Sequence, residues 1–404
     1  MLGNTLLDMY AKCGAMNKAR NVFEQLPMRD VVSWNVLISG YTRHQLGDEA
    51  LKCFRQMEYE GMCPDAVTYA CILKACGIVG DLEMGEDIVI EVRKQGLLHK
   101  DKVLRSTSVD MYVKCGALEK ARETLEELPT RDVVSWTALV GGYVEHGFGE
   151  EALDCFVQMQ NEGIHPNSVT YMCVLKACGI VGSLEIGEGI SSDLRKRGLL
   201  QKDIVINTAL IDMYAKCGAL ERAREAFEKH LRRDVVAWNA LMAGYAQLGK
   251  ASMVLELFVR MRREGMFPNL VTFLLSLNAC SHAGLLKEGE ELFDEMCGVY
   301  GLSPKLEHLA CMIDLFARAG HFNKANALLL DKVSSSDNLP LLLTILGACH
   351  KWINVKLGRW AFEQAIDLDE KCSAAYVGMV NIYVSAGMHT EADRIEGLRV
   401  KSGA

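Results

Sequence analysis

No apolar run in this chain approaches ~18 residues, so no helix of it is expected to cross a membrane. Cys-x-x-Cys is missing, and only one of the ten histidines, His389, is followed two residues later by Glu, at Glu391. Without Cys-x-x-Cys the zinc-ligand pattern of a deaminase is incomplete. The Cys71…Cys76 and Cys173…Cys178 pairs have no neighbouring His pair to complete a zinc site. No metal, no cofactor and no catalysis by this chain are therefore expected. Proline is scarce, seven in 404 residues, and falls mainly at regular places such as Pro64, Pro166 and Pro268, which fits helices running uninterrupted between them. Signal-peptide and Arg/Ser-rich transit features are absent from the N-terminus. A positive balance is missing too. The formal net charge is −8, whereas nucleic-acid binders are usually basic because phosphate neutralisation drives their affinity.

What is present reads as a folded chain, with 50% hydrophobic residues and 24% charged. The fifteen cysteines recur by position: Cys13/Cys115/Cys217, Cys53/Cys155, Cys71/Cys173 and Cys76/Cys178/Cys280. A cysteine that returns at one structural place, far from any partner position, is expected to be a small buried core residue in a reducing compartment.

The strongest pattern is repetition. Asp30-Val31-Val32-Ser33-Trp34 returns from Asp132 and, with Ala237 for Ser, from Asp234; Asp8-Met9-Tyr10-Ala11-Lys12-Cys13-Gly14 returns from Asp110 and Asp212. Unit-closing residues Asp30, Asp65, Asp101 and Asp132 divide each cycle into lengths of ~35, ~36 and ~31, within the usual range for solenoid repeats. A long array of this kind builds its core between neighbours and need not split into globular domains. Because an array normally starts with a capping unit, and Met1 falls at about the second position of a repeat, the chain is expected to be a piece of a longer protein.

Within Val133–Asn167, apolar Val134, Leu139, Val140 and Tyr143 keep helical spacing. Gly147 and Gly149 interrupt it, Ala152, Leu153, Phe156 and Met159 resume it, and Gly163 and Pro166 stop it. Each unit is thus a helix-turn-helix hairpin. Small Ala19, Ala121, Ala223, Ala50 and Ala152 mark close helix approaches. The fold class is all-α, a solenoid.

Units of these lengths, with Gly-x-x-Pro-Asp ends, Asp-Met-Tyr-x-Lys-Cys-Gly and Leu-Lys-Ala-Cys, resemble the pentatricopeptide repeat family, specifically its plant-type array of alternating P, L and S motifs. The resemblance implies a right-handed superhelical α-solenoid. Motifs of the S type lie at 1–30, 102–132 and 204–234, P type at 31–65, 133–167 and 235–269, and L type at 66–101, 168–203 and 270–305, so that the array spans 1–305. A terminal variant S motif covers 306–338, with Cys311-Met312-Ile313-Asp314-Leu315. Two E-type, tetratricopeptide-like motifs cover 339–404, with Leu346-Gly347-Ala348-Cys349 and Asn381-Ile382-Tyr383. Leu342 departs from the Trp common there, and the deaminase of the Asp-Tyr-Trp type carried by many relatives has no counterpart.

The family binds single-stranded RNA, one base per repeat, through the fifth and last residues of a motif. Here those positions hold Asn4/Asp30, Asn35/Asp65, Ser106/Asp132, Thr137/Asn167, Thr208/Asp234 and Asn239/Asn269, all small hydrogen-bonding residues. The L motifs place Ala70, Met172 and Leu274 at the fifth position, which cannot hydrogen-bond a base edge. By the family's code Asn with Asp favours U, Asn with Asn favours C over U, Thr or Ser with Asp favours G, and Thr with Asn favours A. The implied target is 5′-UUNGANGYN-3′, Y being a pyrimidine. Val32, Val103, Val134, Val205 and Val236, at the second position, would wedge between bases, and Lys12, Lys114 and Lys216 are candidates for phosphate contacts. The implied role is site recognition for organellar C-to-U editing, in chloroplast or mitochondrion. A deaminase or other editing-complex protein would be recruited through the E-type motifs, and neither membrane nor DNA is an expected partner.

Taken without the family, these residues have other readings. Asn or Thr at a helix start, and Asp at a unit end, also suit N-caps. Lysines at the reading helices also suit a solvated face. Trp34, Trp136 and Trp238 suit base stacking but, by their fixed place on the helix, core packing better. The rival function is a protein-interaction scaffold of tetratricopeptide type. The negative charge is compatible with RNA if Lys and Arg line the reading side while acids such as Glu119, Glu126, Glu127, Glu150 and Glu151 occupy the outer helices.

Overall fold

The computed structural model describes residues 2–128, 130–229, 233–321, 323–325, 327–328, 339–353 and 355–403. They form helices and connecting turns, with no strand among the described residues. The chain divides into two compact units, Met1–Met213 and Tyr214–Ala404. In chain order the first holds α1 (Leu2–Lys12), α2 (Met16–Glu24), α3 (Val31–Arg43), α4 (Gly47–Tyr59), α5 (Ala66–Val79), α6 (Leu82–Lys94) and α7 (Leu97–Lys100). It continues with α8 (Lys102–Lys114), α9 (Leu118–Glu126), α10 (Val133–Glu145), α11 (Gly149–Asn161), α12 (Ser168–Val181), α13 (Leu184–Lys196) and α14 (Leu199–Lys202). The division falls inside α15 (Ile204–Lys216). The second unit goes on with α16 (Leu220–Lys229), α17 (Val235–Gln247), α18 (Ala251–Arg263), α19 (Leu270–Ala283), α20 (Leu286–Gly298) and α21 (Leu306–Arg318). It closes with α22 (Leu339–Trp352), α23 (Val355–Leu368), α24 (Ser373–Ser385) and α25 (His389–Ser402). The last two helix pairs fall where the two tetratricopeptide-like motifs are expected. Most of the second half of the expected 306–338 motif lies outside the described residues.

The three motif lengths have a simple structural origin. First helices are 13 or 14 residues in every complete motif up to residue 283, so the difference lies in the second helix and the segment after it. A 35-residue motif has a second helix of 13 residues, as in α4 and α11. In a 31-residue motif that helix is about one turn shorter, nine residues in α9. The 36-residue motifs at 66–101 and 168–203 keep 13 residues in α6 and α13 and add a four-residue helix, α7 or α14. Gly96 and Gly198 start these short helices with φ of 67° and 66°, a conformation that favours glycine.

Packing is serial within each unit. First helices pack side by side (α1 on α3, α3 on α5, α5 on α8, α8 on α10, α10 on α12), and second helices cover their own first helix and that of the next motif, as α4 does with α3 and α5 and α11 with α10 and α12. The expected small residues sit at these crossings: Ala19, Ala121, Ala223, Ala50 and Ala152 are fully buried. Trp34, Trp136 and Trp238 are at most 1% exposed, so they belong to the core. Trp34 meets Phe23 edge-on at 4.4 Å, and Trp238 meets Phe227 at 4.6 Å. An ion pair recurs beside them at the motif step: Arg29 with Glu60 at 2.8 Å, Arg131 with Glu162, and Arg233 with Glu264 at 2.9 Å.

The Cys53/Cys155 and Cys76/Cys178/Cys280 sets are core, as expected, but the Cys13/Cys115/Cys217 and Cys71/Cys173 sets correct that reading. Cys53, Cys155, Cys76, Cys178 and Cys280 are buried, whereas Cys71, Cys173, Cys115 and Cys217 are half-buried and Cys13 is exposed. The Cys115 thiol lies 3.7 Å from the Cys76 carbonyl oxygen on the preceding motif. Burial pushes the Cys53 thiol up to about 11 and Cys76 up to about 12, so both stay protonated and unreactive at neutral pH. Among the described residues, no helix is long and apolar enough to cross a membrane.

Candidate nucleic-acid interface

Every unit-closing residue in the expected reading set caps the next first helix. Asp30, Asp65, Asp132, Asn167, Asp234 and Asn269 have extended backbones, and their side chains accept the N–H three residues on, from Ser33, Thr68, Ser135, Thr170, Ala237 and Thr272. Capping needs an acceptor at a fixed place. It thereby also fixes the side chain that would face a base.

The fifth residue joins that cap from the first helix of the same motif. Asn35 Nδ2 donates to Asp65 Oδ1 at 2.9 Å, and Asn239 Nδ2 to Asn269 Oδ1 at 3.2 Å, across 30 residues of sequence. Asn4 Nδ2 reaches Asp30 Oδ1 at 3.4 Å. The fifth residue and the capping residue therefore share one hydrogen-bonded arrangement. A buried hydroxyl completes it in the 35-residue motifs. Thr68 Oγ1 donates to Asn35 Oδ1 at 2.6 Å and lies 2.9 Å from Asp65 Oδ1; Thr272 Oγ1 donates to Asn239 Oδ1 at 2.8 Å and lies 3.0 Å from Asn269 Oδ1. Thr137 and Thr170 hydroxyls meet at 2.7 Å, with Thr170 also 3.0 Å from Asn167 Oδ1.

The other fifth positions are held differently. Ser106 Oγ lies 3.1 Å from its own helix carbonyl at Val103, and Thr208 Oγ1 donates to the Ile204 carbonyl at 2.9 Å. Asp132 instead faces Lys102 Nζ at 3.4 Å through its Oδ2. Ala70 is buried, and Met172 and Leu274 are half-buried, so the 36-residue motifs offer no polar fifth side chain.

Three of the aspartates lie below the ordinary carboxylate pKa. For Asp30 the main cause is the Ser33 backbone N–H, which outweighs slight burial, helped by the Ser33 hydroxyl and the Asn4 amide. Burial pushes Asp65 up, but the Thr68 backbone, the Asn35 amide and the Thr68 hydroxyl together overcome it. In Asp132 burial is likewise outweighed, by the Ser135 backbone and hydroxyl and by Lys102. All three are ionised at neutral pH and so present acceptors only.

The valines at the second motif position are exposed. Val32 is 59% exposed, and Val103, Val134, Val205 and Val236 are similarly exposed. The same second position of the 36-residue motifs also holds exposed valines, Val67, Val169 and Val271. These three are missed when only motifs with polar fifth residues are considered, although the motif step places them. The buried Thr68, Thr170 and Thr272 are missed as well. Their signal is the recurrent Val-Thr followed by an aromatic at 67–69, 169–171 and 271–273.

Lys12 and Lys114 are exposed, but each is paired with an aspartate one turn earlier, Asp8 at 2.6 Å and Asp110 at 2.8 Å. Lys216 stands exposed at the same place on α15. Such exposed pairs are weak and can exchange their partner for a phosphate. The broader charge pattern favours the first helices. In the first unit they carry Lys12, Arg43, Lys74, Lys102, Arg105, Lys114 and Lys176 against Asp8, Asp110, Glu145 and Asp212. The second helices hold the acids Glu119, Glu126, Glu150 and Glu151 among many others, and Glu127 closes α9.

The model of the PPR (pentatricopeptide repeat) repeat family matches residues 29–77, 131–179 and 233–282, and the PPR repeat model matches 4–31, 67–97, 208–234 and 272–298. The chain belongs to the pentatricopeptide repeat family. A mitochondrial pentatricopeptide repeat-containing protein of Arabidopsis thaliana is 35% identical over 390 residues, covering 95% of this chain and 68% of that protein. A second from the same plant is 35% identical over 394 residues, covering 98% of this chain and 54% of its own length. A third, also named mitochondrial, is 34% identical over 400 residues, covering 99% and 62%. The chain thus spans about half to two-thirds of the length of these relatives. Among solved structures, the maize pentatricopeptide repeat protein PPR10 in complex with an 18-nucleotide psaJ RNA element aligns over 99% of this chain and 69% of its own. Its identity is 18% and its TM-score 0.44.

Proposed function

We propose that this chain binds single-stranded RNA, one base per motif, and serves as the site-recognition part of an organellar C-to-U editing factor. The observation that carries the reading is the meeting of fifth and last residues in Asn35/Asp65 and Asn239/Asn269, at 2.9 and 3.2 Å, together with exposed valines at the second motif positions. An unpaired base offers a Watson–Crick edge to such a pair and a face to the valines. Paired in this way, Asn4/Asp30, Asn35/Asp65, Ser106/Asp132, Thr137/Asn167, Thr208/Asp234 and Asn239/Asn269 read 5′-UUNGANGYN-3′. The 36-residue motifs supply valine contacts without base selection.

Lys12 and Lys114 exchange their aspartate partners for phosphates when RNA binds, and Lys216 takes the same role on α15. The chain does no chemistry itself. The helix pairs of 339–404 recruit a deaminase or another editing-complex protein. The mitochondrial names among the relatives favour the mitochondrion over the chloroplast as the compartment.

The test is binding of the full chain to labelled UUAGAAGCA and to a copy with both G bases changed to C, over a salt series. Tight binding to the first and a clear loss on the second are expected. Equal binding that fades with salt would mean attraction by charge alone. Binding to neither would favour a protein-interaction scaffold.

A further inference from the structure

In the motif 235–269 the donors and acceptors can be assigned from one fixed point. The Thr272 backbone N–H, 3.0 Å from the Asn269 side chain, can only donate, so the atom facing it is Asn269 Oδ1. Asn239 must therefore turn its Nδ2 towards that oxygen, which it does at 3.2 Å. Its own Oδ1 is then left pointing to Thr272 Oγ1 at 2.8 Å. The Thr272 hydroxyl accepts the Asn269 N–H at 3.2 Å and gives its single hydrogen to Asn239. Both amide oxygens are engaged inside the protein. What remains for a base is N–H from both asparagines. Cytosine offers acceptors at N3 and O2 and matches two donors, whereas uracil carries a hydrogen at N3 and does not.

The same logic gives different faces elsewhere. Asn35 keeps an N–H while Asp65 keeps acceptor capacity, which matches the O4 and N3–H of uracil. Thr137 spends its hydrogen on the Val133 carbonyl at 2.5 Å and must therefore accept from Thr170. It retains one lone pair beside the Asn167 amide, a match to the N6–H and N1 of adenine.

We propose that Thr272, Thr68 and Thr170, each third in a 36-residue motif, are positioning residues that set which atoms the preceding motif shows to its base. The proposal rests on the RNA-reading function and adds residues outside the reading pairs to it. Thr272 has the largest part. The Asn239–Asn269 bond is long and neutral, so without the hydroxyl Asn239 is free to turn Oδ1 outward and accept uracil. Asn35 is held in addition by an ionised partner at 2.9 Å, a stronger kind of bond.

The experiment measures binding of the full chain to UUAGAAGCA and to UUAGAAGUA, which differ at the base read by Asn239/Asn269. Wild type is expected to favour C by about fivefold, the worth of roughly one net hydrogen bond. Thr272→Val should bring the ratio to within about twofold of unity while a change of the fifth base from A to C costs what it costs wild type. Thr272→Ser, which keeps the hydroxyl, should restore the wild-type ratio, and Thr68→Val should weaken the preference for U at the second base less. An unchanged C-to-U ratio in Thr272→Val, or the same loss in Thr272→Ser, overturns the role of the hydroxyl and leaves the reading by Asn239/Asn269 intact. Wild type without any preference at this base overturns that reading, and the positioning role with it.

Discussion

Asn4/Asp30 and Asn35/Asp65 are the same two residues at the same two motif positions, yet they are not built alike. In the 31-residue motif the amide reaches its carboxylate at 3.4 Å, and in the 35-residue motif at 2.9 Å. The difference lies in the third residue of the following motif. Ser33 turns its hydroxyl to the Asp30 backbone carbonyl at 2.7 Å, leaving Asn4 with one distant partner. Thr68 is β-branched, which limits χ1, and its hydroxyl bridges Asn35 and Asp65. A pair can therefore be identical in residue type and still differ in how firmly it is held. The motif length sets which partner it receives, because 31-residue motifs precede a Ser or Ala at that place and 35-residue motifs precede a Thr.

The largest way to break the comparison is to remove the carboxylates. Asp65→Ala deprives the buried Thr68 N–H and the Asn35 amide of their acceptor, which should cost about 2–3 kcal/mol of stability. Asp30→Ala loses little more than a cap, about 1 kcal/mol. Urea melts of the two variants check this order; equal losses would contradict it. In RNA binding, Asp65→Ala should also erase the preference for U at the second base.

A smaller effect separates the two intact pairs. Changing U to C at the second base should cost about 2 kcal/mol, near the middle of the range for base readout, and at the first base about half that. Ser33→Thr, which offers the first pair the hydroxyl that Thr68 gives the second, should narrow the gap between the two costs. Titrations with the two single-base variants of UUAGAAGCA measure it, and a gap that Ser33→Thr leaves unaltered would mean that the hydroxyl is not its cause.

Much of this was legible in the sequence and some was not, for identifiable reasons. The cycle of motif lengths is set by recurring Asp-Val-Val-Ser-Trp and Asp-Met-Tyr segments, and helical periodicity fixes the hairpins. The cap was legible in Asp65 and the packing role in Trp34, because each depends on residues nearby in sequence or on a repeated place in a helix. The buried hydroxyl of Thr68 was not. Its partner Asn35 lies 33 residues away, and a Thr three residues into a helix reads locally as half of a capping box, which it also is. Lys12 shows the reverse case: Asp8 stands one turn before it in plain view, but only the structure joins them as a pair. The 36-residue length was countable, whereas its origin in α7 and α14 depends on glycines taking positive φ.

The central claim, that a residue pair chooses the base, is tested most directly by a compensating change within one motif. Thr137→Asn gives the fourth polar pair the residues of Asn239/Asn269, with Thr170 already in place to hold the new amide. The variant is expected to bind UUAGAAGCA more weakly than wild type and UUAGCAGCA, with C at the fifth base, more strongly, so that the order of the two RNAs reverses. If wild type and Thr137→Asn rank the two RNAs in the same order, the fifth and last residues do not select the base.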